Sequence, residues 1–155
     1  MLSWLESTPY AEWIQISLYG WAINLTFHAL GTATVIGIII VVGLRLLGLF
    51  QPIPYALLYK LLGLAWIGVA VNVFTGFSLF MSNATNYIVD ITFGIKMIFV
   101  VSGIATIWYT QKVIKRDAAA WEATGTVSSI GVKLTIGSFV VWTCAMIAGR
   151  LTAYL

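Results

Sequence analysis

Between Leu18 and Leu44, and again between Leu61 and Val89, the chain carries no Asp, Glu, Lys or Arg. Each run is longer than the ~20 apolar residues that an α-helix needs to cross a bilayer. A third run, Ile91 to Gln111, is interrupted only by Lys96, and a fourth, from about Val127 to the C-terminus, has Lys133 and Arg150 near its two ends. Backbone in lipid must satisfy its own hydrogen bonds, which leaves helices or a closed barrel. Barrel strands alternate apolar and polar residues, whereas Val35 to Val42 is continuously apolar apart from Gly37. The expectation is an all-α, integral membrane four-helix bundle forming one domain over 1–155, with spans at about 18–44, 58–82, 91–111 and 127–152.

Composition agrees. Of 155 residues 61% are hydrophobic and 8% charged, against about 25% charge in a soluble domain, which argues against a globule, a disordered chain or a nucleic-acid binder. The net charge of +3 is spread over eight basic residues between apolar runs. Cys144, the only cysteine, has no intramolecular partner and reads as a packing residue. The first basic residue is Arg45, so the start lacks the charged region of a cleavable signal peptide and the N-terminus is expected to stay. Thr8-Pro9 reads as a helix start, placing a short interfacial helix with Trp4, Leu5, Trp13, Ile14 and Ser17 before the first span. Asn83-Ala84-Thr85 matches a glycosylation pattern, with nothing else pointing to a glycoprotein.

Arg45, Lys60, Lys112, Lys115, Arg116 and Lys133 gather at one side of this arrangement, against Lys96 and Arg150 at the other. By the positive-inside rule the first group is cytoplasmic and both termini are outside, periplasmic for a bacterial inner membrane. Pro52 and Pro54 make the first connection short, so sequential spans are antiparallel neighbours.

Polar groups at membrane depth are costly, and each is a functional candidate. His28, the only histidine, lies about ten residues into the first span, a rise of about 15 Å that brings it near the midplane. Asn24 stands one turn above it, Trp21 completes a stripe expected to face the bundle, and Gly31 and Thr32 leave room beside the ring. Asn72 reaches a similar depth in the second span, followed by Thr75 and Gly76. Lys96 and Arg150 add two cations to this outer half, with no carboxylate inside the spans to neutralise them. An anion supplied from outside the chain, such as a haem propionate or a lipid headgroup, resolves that asymmetry.

Trp4-Leu5-x-Ser7, the lone histidine of the first span, Leu44-Arg45-Leu46-Leu47-Gly48, Thr75-Gly76 followed by Leu79-Phe80, and Phe93-x-x-Lys96 together resemble a family of small, uncharacterised bacterial four-helix membrane proteins. That family is similar in helix pattern to copper-resistance-D-like proteins and membrane b-type cytochromes. The likeness covers roughly residues 1–110 and implies His28, Arg45 and Lys96 as family positions. Family members commonly carry an Asp just before the Leu-Arg pair, where this chain has Gly43.

Two readings of His28 stand side by side. It is a haem b ligand, or a core histidine hydrogen-bonded to Asn72 or a hydroxyl. Resemblance to cytochrome-like bundles tips the balance to haem, walled by Trp21, Phe27, Phe74 and Phe77, with an electron-transfer or redox-sensing role and a redox partner at the outer face. One chain with one histidine leaves the sixth iron position to Lys96, Met97, Met81, a second copy or nothing. Copper is the lesser alternative, since one histidine and scattered methionines make a poor site. A non-catalytic structural or assembly subunit is the strongest competitor, because Ala33, Gly37 and the glycines at 63, 68, 94 and 103 would permit close helix or homo-oligomer packing. No intramembrane carboxylate or broken helix pair marks a transporter, and no nucleophile-base pair or phosphate loop marks a hydrolase or transferase.

Overall fold

The computed structural model of the chain describes residues 2–152. In order, the elements are α1 (Ser3–Glu6), α2 (Pro9–Ile16), α3 (Gly20–Leu46), α4 (Tyr55–Met81), α5 (Ala84–Tyr87), α6 (Ile91–Thr124) and α7 (Ser129–Leu151). Helices α3, α4, α6 and α7 are long and apolar enough to cross a membrane. They close a ring in which α3 packs on α4, α4 on α6, α6 on α7 and α7 back on α3. The protein is an all-α, multi-pass membrane bundle with two short helices leading into it.

Helix ends follow local chemistry. The Thr8 hydroxyl accepts from the Ala11 N–H at 3.3 Å with Pro9 in the first turn, Asp90 accepts from the Thr92 N–H at 2.8 Å, and Ser128 accepts from the Gly131 N–H at 3.4 Å. Gly48 and Gly125 follow α3 and α6 in the left-handed region, at φ +96° and +68°, the usual conformation at a helix stop. The sequence pattern ends the third span at Gln111, yet α6 continues to Thr124. Lys112, Lys115, Arg116 and Asp117 mark where the helix leaves the apolar layer, while Val113, Ile114 and Trp121 keep a buried stripe going on the same helix. Hydropathy sees the first event only.

The glycines sort into two groups. A Cβ on Gly31 would stand 3.0 Å from the Gly68 carbonyl oxygen, and one on Gly68 would stand 3.0 Å from the Gly31 oxygen, so α3 and α4 cross here with backbones in close approach. Gly103 makes room for the Trp142 indole across α6 and α7. Gly43 seats the Phe139 ring, which any larger residue, an Asp included, would overlap. The remaining small residues named from the sequence do not serve packing within the chain. Ala33, Gly37, Gly63 and Gly94 are exposed, and the three glycines have open space where a Cβ would stand. Spacing alone does not say which face of a helix apolar on every side meets a neighbour.

The two halves of the bundle differ. Val35, Ile39, Val42, Leu58, Leu62, Ile107, Val113 and Ile114 form one apolar core with Tyr55 and Trp121 in the half carrying the basic loops. In the half nearer the chain termini, no residue of α6 from 91 to 102 is buried. Much of the buried side-chain surface there is polar: Asn24, Thr75 and Ser78. Helix α2 lies over this end, with Ala11 and Ile14 fully buried and the Tyr10 hydroxyl 3.1 Å from that of Ser78. The Glu6 carboxylate accepts from the Thr85 N–H at 2.7 Å, pinning α1 to α5. That hydrogen bond holds the Glu6 carboxyl below its ordinary range.

Candidate functional site

His28 on α3 and Thr75 on α4 meet in the terminal half, one turn beyond the Gly31–Gly68 crossing. The imidazole Nδ1 is 3.0 Å from the Thr75 Oγ1, and that hydroxyl donates its single proton to the Val71 carbonyl at 2.7 Å. With the hydroxyl proton committed, the ring Nδ1–H is the donor to Oγ1 and the Nε2 lone pair is left over. Nε2 has no hydrogen-bond partner among the described residues, and it is not sealed from the surroundings. A Cβ on Gly76 would come within 3.3 Å of the ring Cε1, so the glycine cradles the edge of the imidazole.

The sequence names Asn72 or a hydroxyl as partner of a core histidine. The structure gives the hydroxyl to the ring and Asn72 to the backbone beneath it. With its two ends facing complementary groups, the Asn72 amide nitrogen donates to the His28 carbonyl at 2.7 Å and its oxygen accepts from the Thr32 N–H at 3.0 Å. Asn72 therefore clamps α4 to the backbone of α3. Asn24, 5% exposed, donates to the Gly20 carbonyl of its own helix at 3.0 Å.

The other candidates are more dispersed. Lys96 is half-buried, its stem running past Gly149 of α7, where the missing side chain admits it; its Cε lies 3.5 Å from the position of a Cβ. Its ammonium has no acceptor among the described residues. Arg150 is exposed at the end of α7. Trp21 is 42% exposed and Met97 43%, so the stripe read through Trp21 breaks before reaching it, and Met97 turns toward the lipid side of α6. Phe27, Phe74 and Phe77 are likewise more than half exposed and wall no interior space. On α3 Phe27 stands one residue off His28, and on α4 Phe74 and Phe77 stand one residue off Thr75 and Ser78, a phase fixed by the glycine crossing rather than by hydrophobicity. Thr75 carries the decisive contact. Its signal in the sequence is position alone, a hydroxyl at the depth of the lone histidine on an antiparallel neighbour.

Among the described residues no three His, Cys, Asp or Glu side chains gather into a metal-holding cluster. The donor set fits a cofactor that needs one imidazole from this chain. Fixing one ring nitrogen through its N–H leaves the other as a more basic ligand in the orientation its partner sets. No family model matches the chain, and no curated protein or solved structure matches it.

Proposed function

We propose that the chain is a membrane-embedded haem b-binding protein in which Nε2 of His28 is the ligand to iron and the activity is electron transfer or redox sensing. The observation that supports this most is the His28–Thr75–Val71 chain of hydrogen bonds, which engages Nδ1 of the only histidine and leaves its Nε2 free among the described residues. Haem b would supply one-electron exchange at its iron. The chain's own residues do the rest. Thr75 orients the imidazole and raises its basicity, Gly76 keeps the ring edge clear, and Lys96 offers an unneutralised ammonium to a propionate. Lys96 is the better candidate than Met97 for a direct part in the site, because Met97 faces outward; Arg150, exposed at the helix end, serves as a second cation at the rim.

The membrane topology belongs to the same proposal. Six of the eight basic residues sit at the end with Arg45 and the α6–α7 loop, so that end is cytoplasmic and both termini are periplasmic. His28 would then hold a haem in the periplasmic half, on the side from which a redox partner would approach.

A second reading, a non-catalytic structural or assembly subunit, is favoured by Asn72. Its amide is consumed by the α3 backbone, so part of the intramembrane polar row serves helix packing alone. Copper has a single nitrogen donor here, His28. Titrating haem into detergent-solubilised apoprotein separates the readings. The haem reading expects saturation at one haem per chain or per pair of chains, and its loss in His28→Ala with the helical circular dichroism retained. Equal, unsaturable uptake by both proteins overturns it.

A further inference from the structure

At the opposite end of the bundle, between the α3–α4 and α6–α7 connections, lies a cavity of ≈ 550 Å³ lined by Arg45, Tyr55, Trp121 and Glu122, with Leu47 and Val132 on its apolar side. Pockets of about 300–1,000 Å³ hold small ligands. Arg45 is 6% exposed, which is costly for a cation unless it is paired. Its Nε donates to the Ile53 carbonyl at 2.6 Å, its Nη1 donates to the Tyr55 hydroxyl at 2.9 Å, and its guanidinium carbon lies 3.9 Å from the centre of the Tyr55 ring. These partners are neutral. Nη2 has no acceptor among the described residues and keeps some accessible surface, on a side chain that lines the cavity. Glu122 lines the same cavity; its Oε1 accepts from the Tyr55 N–H at 2.7 Å, and its second oxygen has no donor among the described residues. Arg45 and Glu122 form no ion pair with each other.

One cavity is thus lined by a buried cation and a carboxylate that do not pair with each other. A simple anion satisfies Arg45 and is repelled by Glu122; a ligand with both a phosphate and a protonated amine satisfies both. We propose that this cavity binds the headgroup of an amine-bearing zwitterionic phospholipid, the phosphate on Nη2 of Arg45 and the primary ammonium on Glu122. Its position at the end of the spans, with Leu47 and Val132 beside it, lets the acyl chains stay in the bilayer. The site is separate from the His28 region and stands whether or not haem binds.

Native mass spectrometry of the full chain released from nanodiscs containing equal parts phosphatidylethanolamine, phosphatidylcholine and phosphatidylglycerol tests it. The expected result is retention of phosphatidylethanolamine at least tenfold over the other two, since the choline group has no N–H to donate and the glycerol headgroup has no cation. Glu122→Gln keeps an acceptor for the Tyr55 N–H, and so the fold, and is expected to cut the preference over phosphatidylglycerol at least fivefold. Arg45→Gln is expected to lose retained lipid of all three kinds. Equal retention of the three lipids, or an unchanged preference in Glu122→Gln, overturns the proposal. Displacement of the lipid by soluble phosphoethanolamine below millimolar concentration overturns the assignment to a membrane lipid in favour of the free compound.

Discussion

Gly31→Ala places a methyl group at the tightest contact of α3 with α4. The new carbon would stand 2.8 Å from the Asn72 amide and 3.0 Å from the Gly68 carbonyl oxygen, where ordinary contact begins near 3.4 Å. The amide can swing away at the cost of its bond to the His28 carbonyl, but the Gly68 oxygen is backbone and moves only if the helices part. Overpacking of this kind costs about 1–3 kcal/mol, or about five- to 150-fold in the folding equilibrium. Gly37→Ala is the matched control on the same helix, with open space around its Cβ position. It is expected to be neutral or to stabilise by up to about 1 kcal/mol, the propensity difference between the two residues. Detergent-driven unfolding in bicelles reads both. Equal effects of the two substitutions would refute the close crossing, and with it the placement of His28 against Thr75.

Thr75→Val removes the acceptor of the imidazole N–H with little change of volume; haem dissociation is expected to speed about tenfold and the midpoint potential to rise, read by transfer to a haem-scavenging protein and by redox titration. Trp142→Phe removes a buried indole N–H that has no partner. An unsatisfied buried donor costs about 1–3 kcal/mol, which offsets the packing lost where the indole fills the space at Gly103, so the unfolding midpoint is expected to change little, and a loss well beyond about 3 kcal/mol would contradict this. The Glu6 carboxyl is depressed by the Thr85 N–H it accepts, so the folded state gains from this bond above the unfolded pKa and loses it as pH falls through the lower folded value. Thr85 amide protection relative to Glu6→Gln at the same pH is expected near neutrality and is expected to vanish in acid.

What could be read from the sequence depended on which physical signal carried it. The four spans follow from charge-free length, and the Thr8-Pro9 start of α2 from its capping chemistry, so both are legible. The depth of His28 and of the Asn72–Thr75 segment follows from rise per residue, which put the two polar rows at one level. Rotational phase does not follow. Helix α3 is apolar nearly all round, so nothing in its pattern told Trp21 and Phe27, which face outward, from Gly31 and Val35, which meet α4. The continuation of α6 to Thr124 was hidden because charges in a helix that leaves the membrane look like charges in a loop. Arg45 counted as a topology signal; its burial over Tyr55 and its lack of an ion pair with Glu122 come from the fold of two connections that no local pattern specifies.

The central claim is that His28 is held to bind haem iron. Its most direct test is the absorbance spectrum of the native protein purified from membranes of haem-sufficient cells, compared with His28→Ala at equal protein concentration. The account predicts a Soret band in the native protein, a pyridine haemochrome typical of haem b, and loss of both in the variant. A native protein without a Soret band, or a band of equal position and intensity in His28→Ala, would contradict it and leave the His28–Thr75 pair as a purely structural link between two helices.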